Sequence, residues 1–505
     1  APALPRYLAS RRWFGGKDRK VTAARFSHVV PLRDAGGGML TLVEVAYTEG
    51  EPELYVLPLR LAPEGSADAL ATLEGAADGA VVDALGDPAF DTALVRTIAR
   101  RRRHAGEGGS LVGVPAPSLA HLIARDDALP ETTLSRAEQT NSSVVFGERL
   151  ILKLYRRADA GAHPDVEIGR FLTERAGFAC TPPVAGSLEH VTPKGRMTIA
   201  MLQAYVPNQG DAWQRSQQML ESFLDRVGSA EPPAVVATTP LALADLEPPA
   251  AALAALGPDL EFADRLAQRT AELHRALIAD PDDPDFAPEP FTAAYQRSIY
   301  QSLRGQLARS LRRLRGSLHA LTPQARDEAG ALLAHESAGA ERVHELIERP
   351  VGAWRTRIHG DYHLGQVILA NDEPLVIDFE GEPATALSER RAKRSPLRDL
   401  AGMLRSFDYA AQVALASRPD RTAVLESWAC TWTSLVSARF LRAYRDAAAD
   451  PRLWPARPGD AALLLEAFLL DKASRELEYE LATRPDWAQV PIRGLRDILE
   501  GPRRA

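Results

Sequence analysis

The stretch that most constrains this chain is residues 357–380, which read R-I-H-G-D-Y-H-L-G-Q-V-I-L-A-N-D-E-P-L-V-I-D-F-E. Three polar side chains, Asp361, Gln366 and Asp378, stand there in an otherwise apolar setting. Gln366 comes five residues after Asp361, and Asp378 directly follows an apolar run. This spacing of two carboxylates and an amide makes the stretch the strongest candidate site in the chain.

The residues between these side chains predict a β-hairpin. Residues 367–370 are apolar and have the composition of a first strand, Asn371-Asp372 favours a tight turn, and residues 375–377 predict a buried second strand. The hairpin therefore ends at Asp378.

Phosphoryl transfer from ATP needs this combination of side chains. One carboxylate accepts or orients the proton of the attacking hydroxyl, and a side-chain oxygen with a second carboxylate holds the magnesium that bridges the phosphates. Protein kinases use H-R-D-x-x-x-x-N and D-F-G for these tasks, and this chain has H-G-D-x-x-x-x-Q and D-F-E. The pattern predicts Asp361 as the base and Gln366 and Asp378 as magnesium ligands. The alternative is a buried aspartate pair held for structural reasons.

Length and charge narrow the class of protein. A chain of 505 residues is too long for one simple core, so two or three domains are expected. A net charge of −7 argues against nucleic acid as the main partner. No apolar run reaches transmembrane length, no signal peptide is visible, and two distant cysteines indicate no disulfide framework, which together predict a cytoplasmic protein without a membrane partner. The chain opens with Ala1, so either the initiator was removed or a longer polypeptide was cut.

Patterning along the chain predicts three regions. Residues 1–95 form a first unit that includes a hairpin over residues 40–59, residues 96–205 form a second unit of strands with a helix, and residues 206–505 are mostly helical. Residues 228–259 are rich in Ala and Pro with few aromatics, which predicts a flexible insertion. The predicted fold class is therefore α+β.

A lysine on a predicted strand gives a second candidate site. Lys153 alternates with apolar residues in R-L-I-L-K-L-Y, and burying a lysine is costly unless it is paired. Glu167 follows on a helical segment fourteen residues later. A strand lysine paired with a helix glutamate positions the ATP phosphates in kinases, so we expect Lys153 and Glu167 to pair. The alternative is an edge-strand lysine that points to solvent.

Two further segments are candidate nucleotide contacts. Gln139, Ser142 and Ser143 belong to a small polar stretch that could cradle phosphate, although it lacks the glycine pattern of protein kinases. An apolar strand then ends at a Pro-Asn-Gln-Gly break, where backbone groups of Gln203 and Tyr205 are expected to bind adenine.

A stripe on the predicted helix 463–481 could contact a sugar. A sugar site uses carboxylates for the hydroxyls and an aromatic ring for the apolar face, and positions i, i+4, i+7 and i+8 supply both. The candidate sugar contacts are Lys472, Glu476, Tyr479 and Glu480, with His363, Glu380 and Arg405 from the motif regions. The alternative is an ordinary solvated helix face.

Arg398-Asp399 precedes another predicted helix. Asp399 is expected either to brace the loop around Asp361 or to cap the N-terminus of its own helix. The sequence leaves both open.

Long segments of the chain resemble the maltokinase family, and the resemblance extends from Arg11 to about Leu495. The matching segments are R-W-F-G-G-K, A-E-Q-T-N-S-S-V-V-F, H-G-D-Y-H-L-G-Q-V, I-D-F-E-G-E-P, S-P-L-R-D-L-A-G-M-L-R-S-F-D-Y-A and P-D-W. The resemblance implies a two-lobed, protein kinase-like fold, similar to that of aminoglycoside phosphotransferases, with a cap subdomain before a sheet-containing lobe and a helical lobe. It also implies ATP and Mg²⁺ as cofactors, with Lys153 on phosphate, Asp361 as base, and Gln366 and Asp378 on the metal.

The family makes maltose 1-phosphate from maltose and ATP, which serves α-1,4-glucan (glycogen) synthesis. Some members are fused behind a trehalose synthase, so the resemblance implies maltose as substrate and such a synthase as a fused or associated partner. Two alternatives stay open: a kinase of another small sugar such as glucosamine, and a nucleotide-binding module without catalysis.

Overall fold

The computed structural model describes residues 3–63, 66, 69–73, 79–123, 128–135, 140–228, 230–233, 239–382, 385–418 and 423–500. The chain divides into two compact units, and each unit contains two segments that are separated in the sequence. The first unit contains Ala1–Pro207 and Asp378–Arg391, and the second contains Asn208–Ile377 and Ala392–Ala505.

The first unit begins with a sheet that is six-stranded over the described residues. Its order is β1-β2-β3-β5-β4, and a later strand, Arg157–Ala158, pairs with β3. Its elements are α1 (Leu4–Ala9), β1 (Val21–Pro31), β2 (Met39–Tyr47), β3 (Glu53–Ala62), β4 (Ala71–Leu73) and β5 (Gly79–Asp83). The hairpin predicted over residues 40–59 is confirmed by the antiparallel pairing of β2 with β3. Tyr7, Phe14 and Tyr55 pack into the core against this sheet.

A seven-stranded sheet follows in the order β6-β7-β12-β13-β10-β9-β8. Its elements and their neighbours are α2 (Pro88–Ala99), β6 (Arg103–Gly106), β7 (Gly109–Pro115), α3 (Leu119–Leu122), β8 (Thr132–Leu134), β9 (Ser142–Phe146), β10 (Leu150–Leu154), β11 (Arg157–Ala158), α4 (Pro164–Arg170), a π-helical turn (Phe171–Arg175), β12 (Val184–Thr192) and β13 (Gly195–Ala204). All its pairings are antiparallel, and β10 lies in its interior between β9 and β13.

Helix α2 packs into the core that these sheets share. Asp87 caps its start by accepting hydrogen bonds from the N–H groups of Ala89 and Phe90, and Pro88 occupies the first helical position, where no N–H is needed. Phe90 and Leu94, four residues apart on one helix face, are fully buried. These two residues anchor α2 in the shared core.

The second unit is mostly helical, as predicted. From Asn208 it contains α5 (Ala212–Val227), α6 (Pro240–Ala244), α7 (Ala250–Leu277), β14 (Glu289–Pro290), α8 (Ala293–Ser317), a 3₁₀ turn (Leu318–Ala320), α9 (Pro323–Ala334), α10 (Glu336–Glu348), β15 (Trp354–Arg355), a 3₁₀ turn (Leu364–Gln366), β16 (Val367–Ala370) and β17 (Glu373–Val376). The chain then enters the first unit with α11 (Leu387–Arg390). It finishes in the second unit with α12 (Leu397–Ala416), α13 (Ala423–Ala448), α14 (Pro458–Thr483), a 3₁₀ turn (Pro485–Trp487) and α15 (Gln489–Glu500).

The prediction of a flexible insertion over residues 228–259 is wrong for much of that range. Residues 240–244 form α6 and residues 250–259 form the beginning of α7, while residues 229 and 234–238 lie outside the described residues. Alanine is a strong helix former, and Leu243 and Leu256 of this segment are buried. The buried leucines, rather than the Ala/Pro composition, decide the local structure.

The hairpin predicted ahead of Asp378 is confirmed. Strands β16 and β17 pair antiparallel from Val367 with Val376 to Ala370 with Glu373. Asn371 and Asp372 occupy the turn with φ angles of +52° and +63°, the left-handed conformation that a two-residue hairpin turn of this hand requires. Among the helices of the described residues, none combines the length and apolarity that a bilayer crossing requires.

Candidate functional site

Lys153 is the centre of an acidic cluster in the first unit. It lies on β10 opposite Ser143 and Met201 and is only 8% exposed. Its Nζ is 3.0 Å from Asp165 Oδ2, forms an ion pair with Asp378 Oδ1, and is 3.9 Å from Glu380 Oε1. Burial alone lowers the pKa of a lysine, but these three carboxylates outweigh it and hold the pKa of Lys153 well above its ordinary value. The lysine is therefore a fixed positive charge.

The predicted pairing of Lys153 with Glu167 is wrong. Asp165, two residues earlier on α4, accepts the hydrogen bond of the Lys153 ammonium group. Glu167 instead binds the guanidinium of Arg391 with both carboxylate oxygens. Side chains two apart on a helix point to opposite sides, so only one acid of the Asp165-Val166-Glu167 triplet can face β10. Helix α4 begins at Pro164, and this start places Asp165 on the inner side.

Asp165 also holds the D-F-E segment. Its Oδ2 accepts a hydrogen bond from the Tyr155 hydroxyl at 3.1 Å, and its Oδ1 accepts one from the Phe379 N–H at 2.9 Å. One buried carboxylate thus binds the strand lysine and the backbone beside Asp378. Sequence reasoning missed Asp165 because kinases pair the strand lysine with a helix glutamate, and Glu167 is the glutamate of this helix.

Glu380 belongs to the same cluster, although it was predicted as a sugar contact. Its Oε1 accepts a hydrogen bond from Asn141 Nδ2 at 3.1 Å, and its Oε2 is 3.9 Å from His163 Nε2. Burial raises the pKa of Glu380 to about 7; Lys153 opposes the increase, while the charges of Asp378 and Asp165 add to it. Whether Glu380 also contacts a sugar stays a prediction.

Asp378 adopts a φ of +67°, in the left-handed region that non-glycine residues seldom occupy. Such a conformation persists where surrounding contacts enforce it, and these contacts cluster at functional sites. Here the Lys153–Asp378 ion pair and the Phe379 N–H to Asp165 hydrogen bond hold the residue on both sides.

The predicted nucleotide contacts have different environments. Gln139 lies outside the described residues. Ser142 Oγ accepts a hydrogen bond from Arg156 Nε at 2.8 Å, and Ser143 is fully buried on β9. Gln203 lies opposite Ile151 on β13, and the Tyr205 N–H donates to the Arg149 carbonyl at 3.0 Å. The nucleotide roles of these residues stay predictions.

Asp361 in the second unit is held by a lysine from α14. Lys472 Nζ is 3.0 Å from Asp361 Oδ1, and His363 Nε2 is 3.9 Å from Oδ2. Burial would raise the pKa of Asp361, but the charge of Lys472, followed by those of His363 and His359, lowers it to about 2. The carboxylate is therefore ionised at any physiological pH. Lys472 was predicted to touch sugar, and the structure places it on the predicted base.

The loop that carries Asp361 is braced by Asp399, as one of the two alternatives predicted. The Asp399 carboxylate accepts hydrogen bonds from the N–H groups of His359 at 2.8 Å and Gly360 at 2.9 Å. Helix α12 begins at Leu397 without a side-chain cap, so capping by Asp399 is excluded. His274 Nε2, 3.0 Å from Asp399, completes the brace; it lies on α7, in no motif that sequence reasoning recognised.

Gln366 ends a short 3₁₀ turn that follows Asp361. His363 directly precedes this turn and caps it, because its Nδ1 accepts a hydrogen bond from the Gly365 N–H at 3.1 Å. The Gln366 carbonyl accepts the N–H of Ile377 at 3.0 Å, which ties the turn to the end of the hairpin. The backbone at Gln366 is thereby fixed to the residue that precedes Asp378.

The predicted sugar stripe on α14 does not form one uniform face. Glu476 binds Arg405, whose guanidinium is buried and also binds Asp408 at 2.6 Å. Glu480 is 2% exposed and accepts hydrogen bonds from Tyr409 and Arg484, whereas Tyr479 is 54% exposed. Contact of Arg405, Glu476, Tyr479 and Glu480 with a sugar stays a prediction.

Comparison with known proteins identifies the beginning of the chain and its fold. Residues 7–87 match the maltokinase N-terminal cap domain. The chain is 28% identical over 373 residues to a glucosamine kinase of Streptacidiphilus jiangxiensis, covering 72% of each protein. It is 26% identical over 369 residues to a glucosamine kinase of Mycolicibacterium smegmatis, covering 72% of this chain and 78% of that one.

A solved structure of glucosamine kinase in complex with glucosamine, ADP and inorganic phosphate superposes with a TM-score of 0.63 at 20% identity, covering 98% of both chains. Another crystal form of a glucosamine kinase gives a TM-score of 0.64 at 20% identity, covering 98% of this chain and 99% of that one. The chain therefore has a maltokinase-type cap and the α+β, kinase-like fold that the sequence predicted.

Proposed function

We propose that this protein is an ATP-dependent sugar kinase that phosphorylates the anomeric hydroxyl of maltose and releases maltose 1-phosphate. The observation that carries the proposal is the buried Lys153, which binds Asp165 and the aspartate of the D-F-E segment together. A buried lysine fixed to such an aspartate fits the handling of nucleotide phosphates. The kinase-like fold and the relatives named kinases support the same class of reaction.

The proposed reaction is a direct transfer. The sugar hydroxyl oxygen forms a bond to the γ-phosphorus of ATP, the bond from that phosphorus to the bridging oxygen breaks, and ADP leaves. Asp361 takes the hydroxyl proton. A carboxylate with a pKa of about 2 is a weak base, so Asp361 acts chiefly by orienting the hydroxyl. In a loose phosphoryl-transfer transition state, catalysis depends mainly on positioning and on charge stabilisation, so a strong base is not required.

Magnesium is the cofactor that this chemistry implies. The described residues contain no group of three or more His, Cys, Asp or Glu side chains that could coordinate a metal ion. Magnesium in kinases needs only one or two protein oxygens, since nucleotide phosphates and water supply the rest. Asp378 and Gln366 are the proposed protein ligands, and the bound ion would neutralise charge on the phosphates.

Maltose is the proposed acceptor because residues 7–87 match the cap domain of maltokinases and the motifs resemble that family. The product, an α-maltosyl phosphate, would serve as a donor in α-1,4-glucan synthesis. A trehalose synthase that supplies maltose is the proposed partner.

Glucosamine is the second candidate acceptor. Both curated relatives described above are named glucosamine kinases. The catalytic groups cannot separate the two sugars, because they touch only the attacked hydroxyl and the nucleotide. Selectivity depends on contacts to the rest of the sugar.

The test is ADP release from ATP and magnesium with maltose, glucose, glucosamine or trehalose, or with no sugar. We expect turnover on maltose, and a loss of about 100-fold or more in Asp361→Asn, because the neutral amide neither orients the hydroxyl as the carboxylate does nor accepts its proton. A circular dichroism spectrum checks that the variant is folded. Full activity in folded Asp361→Asn contradicts the mechanism, and turnover on glucosamine alone replaces the acceptor. If ADP release does not depend on the presence of any sugar, the proposed sugar kinase activity is contradicted.

A further inference from the structure

The ion pair between Asp361 and Lys472 joins residues that are 111 positions apart. Asp361 belongs to the loop braced by Asp399, and Lys472 lies in the middle of α14. Both side chains are partly exposed, at 21% for Asp361 and 25% for Lys472. The lysine is thus fixed on the oxygen of the proposed base, at a position that a small molecule can reach.

The two oxygens of Asp361 have different surroundings. Oδ1 accepts the hydrogen bond from Lys472 at 3.0 Å. No side chain among the described residues of this unit donates a hydrogen bond to Oδ2; the His363 Nε2 lies 3.9 Å away, beyond hydrogen-bond distance. Oδ1 is therefore engaged by Lys472, and Oδ2 is the oxygen with room for a further hydrogen-bond donor.

The carboxylates on either side of Lys472 are already paired. Asp471 binds Arg398 and Arg475, Glu476 binds Arg405, and Glu480 binds Arg484. A sugar that carries an ammonium group needs a carboxylate to replace its lost hydration. On this side of α14 it would instead meet the positive charge of Lys472, while the neighbouring acids are held by arginines.

We propose that Lys472 positions the base Asp361 and makes the site select neutral sugars over ammonium-bearing ones. This inference rests on the proposed function, and it names the acceptor class of that site. It assigns to Lys472 a positioning and specificity role in place of a hydrogen bond to sugar. The acceptor it favours is a neutral oligosaccharide hydroxyl.

The test compares Lys472→Met with Lys472→Arg, which keeps the charge. Arg475→Met is the matched control, because it removes a positive charge three residues along the same helix, where the partner is Asp471. The acceptors are maltose, glucosamine and N-acetylglucosamine, a neutral analogue of similar shape, and kcat/KM is measured for each with the full chain.

We expect the wild type to prefer maltose to glucosamine, and Lys472→Met to reduce that preference about tenfold or more, because a like charge beside the ammonium is gone. The preference for maltose over N-acetylglucosamine stays nearly constant, and Lys472→Arg and Arg475→Met keep the wild-type preference. An unchanged glucosamine preference in Lys472→Met overturns the proposal. Should that variant be inactive, sugar dissociation constants replace kcat/KM, with the same expected change.

A second readout does not depend on turnover. Carboxyl ¹³C NMR follows the titration of Asp361, which is faced by Lys472 from α14 and by His363 and His359 from its own loop. In Lys472→Met its pKa rises toward the ordinary value of about 4, and in Arg475→Met it stays low. An unmoved pKa in Lys472→Met overturns the positioning role. A wild type inactive on every sugar contradicts the proposed function, while the NMR result still decides that role.

Discussion

At the scale of single residues, the charge of the buried Lys153 is balanced by the carboxylates of Asp165, Asp378 and Glu380. A lysine among buried apolar residues must be paired, and this made Lys153 recognisable in the sequence. Which acid pairs with it depends on where α4 begins, and a two-residue difference between Asp165 and Glu167 turns the side chain to the other face of the helix. Lys472 was placed on a stripe, yet its contact with Asp361 connects distant parts of the chain, which no local pattern encodes.

Replacing each acid of α4 by its amide tests whether Asp165, rather than Glu167, pairs with Lys153. We expect Asp165→Asn to lower the free energy of unfolding by about 2 kcal/mol or more, because one charge opposite a buried lysine is lost. Glu167→Gln, which breaks a more exposed pair with Arg391, is expected to cost about 1 kcal/mol or less. Urea denaturation of both variants gives the comparison, and a larger loss in Glu167→Gln would restore the original assignment.

The same pair of variants separates stability from nucleotide handling. Since Asp165 also accepts the Phe379 N–H, Asp165→Asn should raise the KM for ATP as well, whereas Glu167→Gln should leave it near the wild-type value. Equal KM values in the two variants would limit Asp165 to a structural role.

At the scale of elements, local chemistry predicted hairpins better than it predicted helices in low-complexity segments. The Asn371-Asp372 turn was readable because both residues tolerate left-handed backbone. The start of α7 was not, because Pro258 lies inside this helix and an Ala/Pro-rich segment resembles a linker. Burial of Leu256 against the rest of the unit overrides that composition.

The strands β1 and β12 meet through a histidine pair that makes the first unit sensitive to acid. His28 and His190 have ring centroids 4.8 Å apart, and neither ring nitrogen of the buried His190 has a hydrogen-bond partner among the described residues. Burial, with a smaller effect of His28, lowers the pKa of His190 to about 4. His190 is therefore neutral in the folded protein at a pH where it is protonated in the unfolded chain. Protonation of this side chain favours the unfolded state.

The lowered pKa of His190 defines the pH range in which stability depends on its protonation. Between about pH 6.5 and the folded pKa of about 4, the unfolded chain binds more protons, so stability falls as the pH is lowered. We expect His190→Leu to reduce that fall by about 2 kcal/mol between pH 7 and pH 5, since leucine cannot take up a proton. Unfolding free energies at pH 7, 6 and 5 measure it. Parallel pH curves for variant and wild type would show that other groups cause the fall.

At the scale of the whole molecule, the division into units depends on a segment far away in sequence. Patterning along the chain predicts continuous regions, but Asp378–Arg391 belongs with residues before Pro207. The reason is charge: Asp378 and Glu380 surround Lys153, and Arg390 and Arg391 bind Asp159 and Glu167. Such long-range pairing is set by the folded chain and leaves no periodic signal.

A fragment of residues 1–207 tests that dependence. We expect it to be less stable than the same fragment followed by residues 378–391 on a Gly/Ser linker, by about 3 kcal/mol, because two of the carboxylates around Lys153 are missing. Thermal unfolding followed by circular dichroism compares the two. A control fusion with Asp378→Asn and Glu380→Gln should lose most of the gain, and equal melting of all three would contradict the charge argument.

The interrupted first unit has a consequence for the order in which the protein is made. Its last residue is Arg391, so the ribosome must translate all of Asn208–Ile377, which belongs to the other unit, before the first unit can close. During that interval Lys153 has Asp165 beside it but not Asp378 or Glu380. The N-terminal sheets emerge first from the exit tunnel, yet they reach their final charge balance only after much of the second unit has been synthesised.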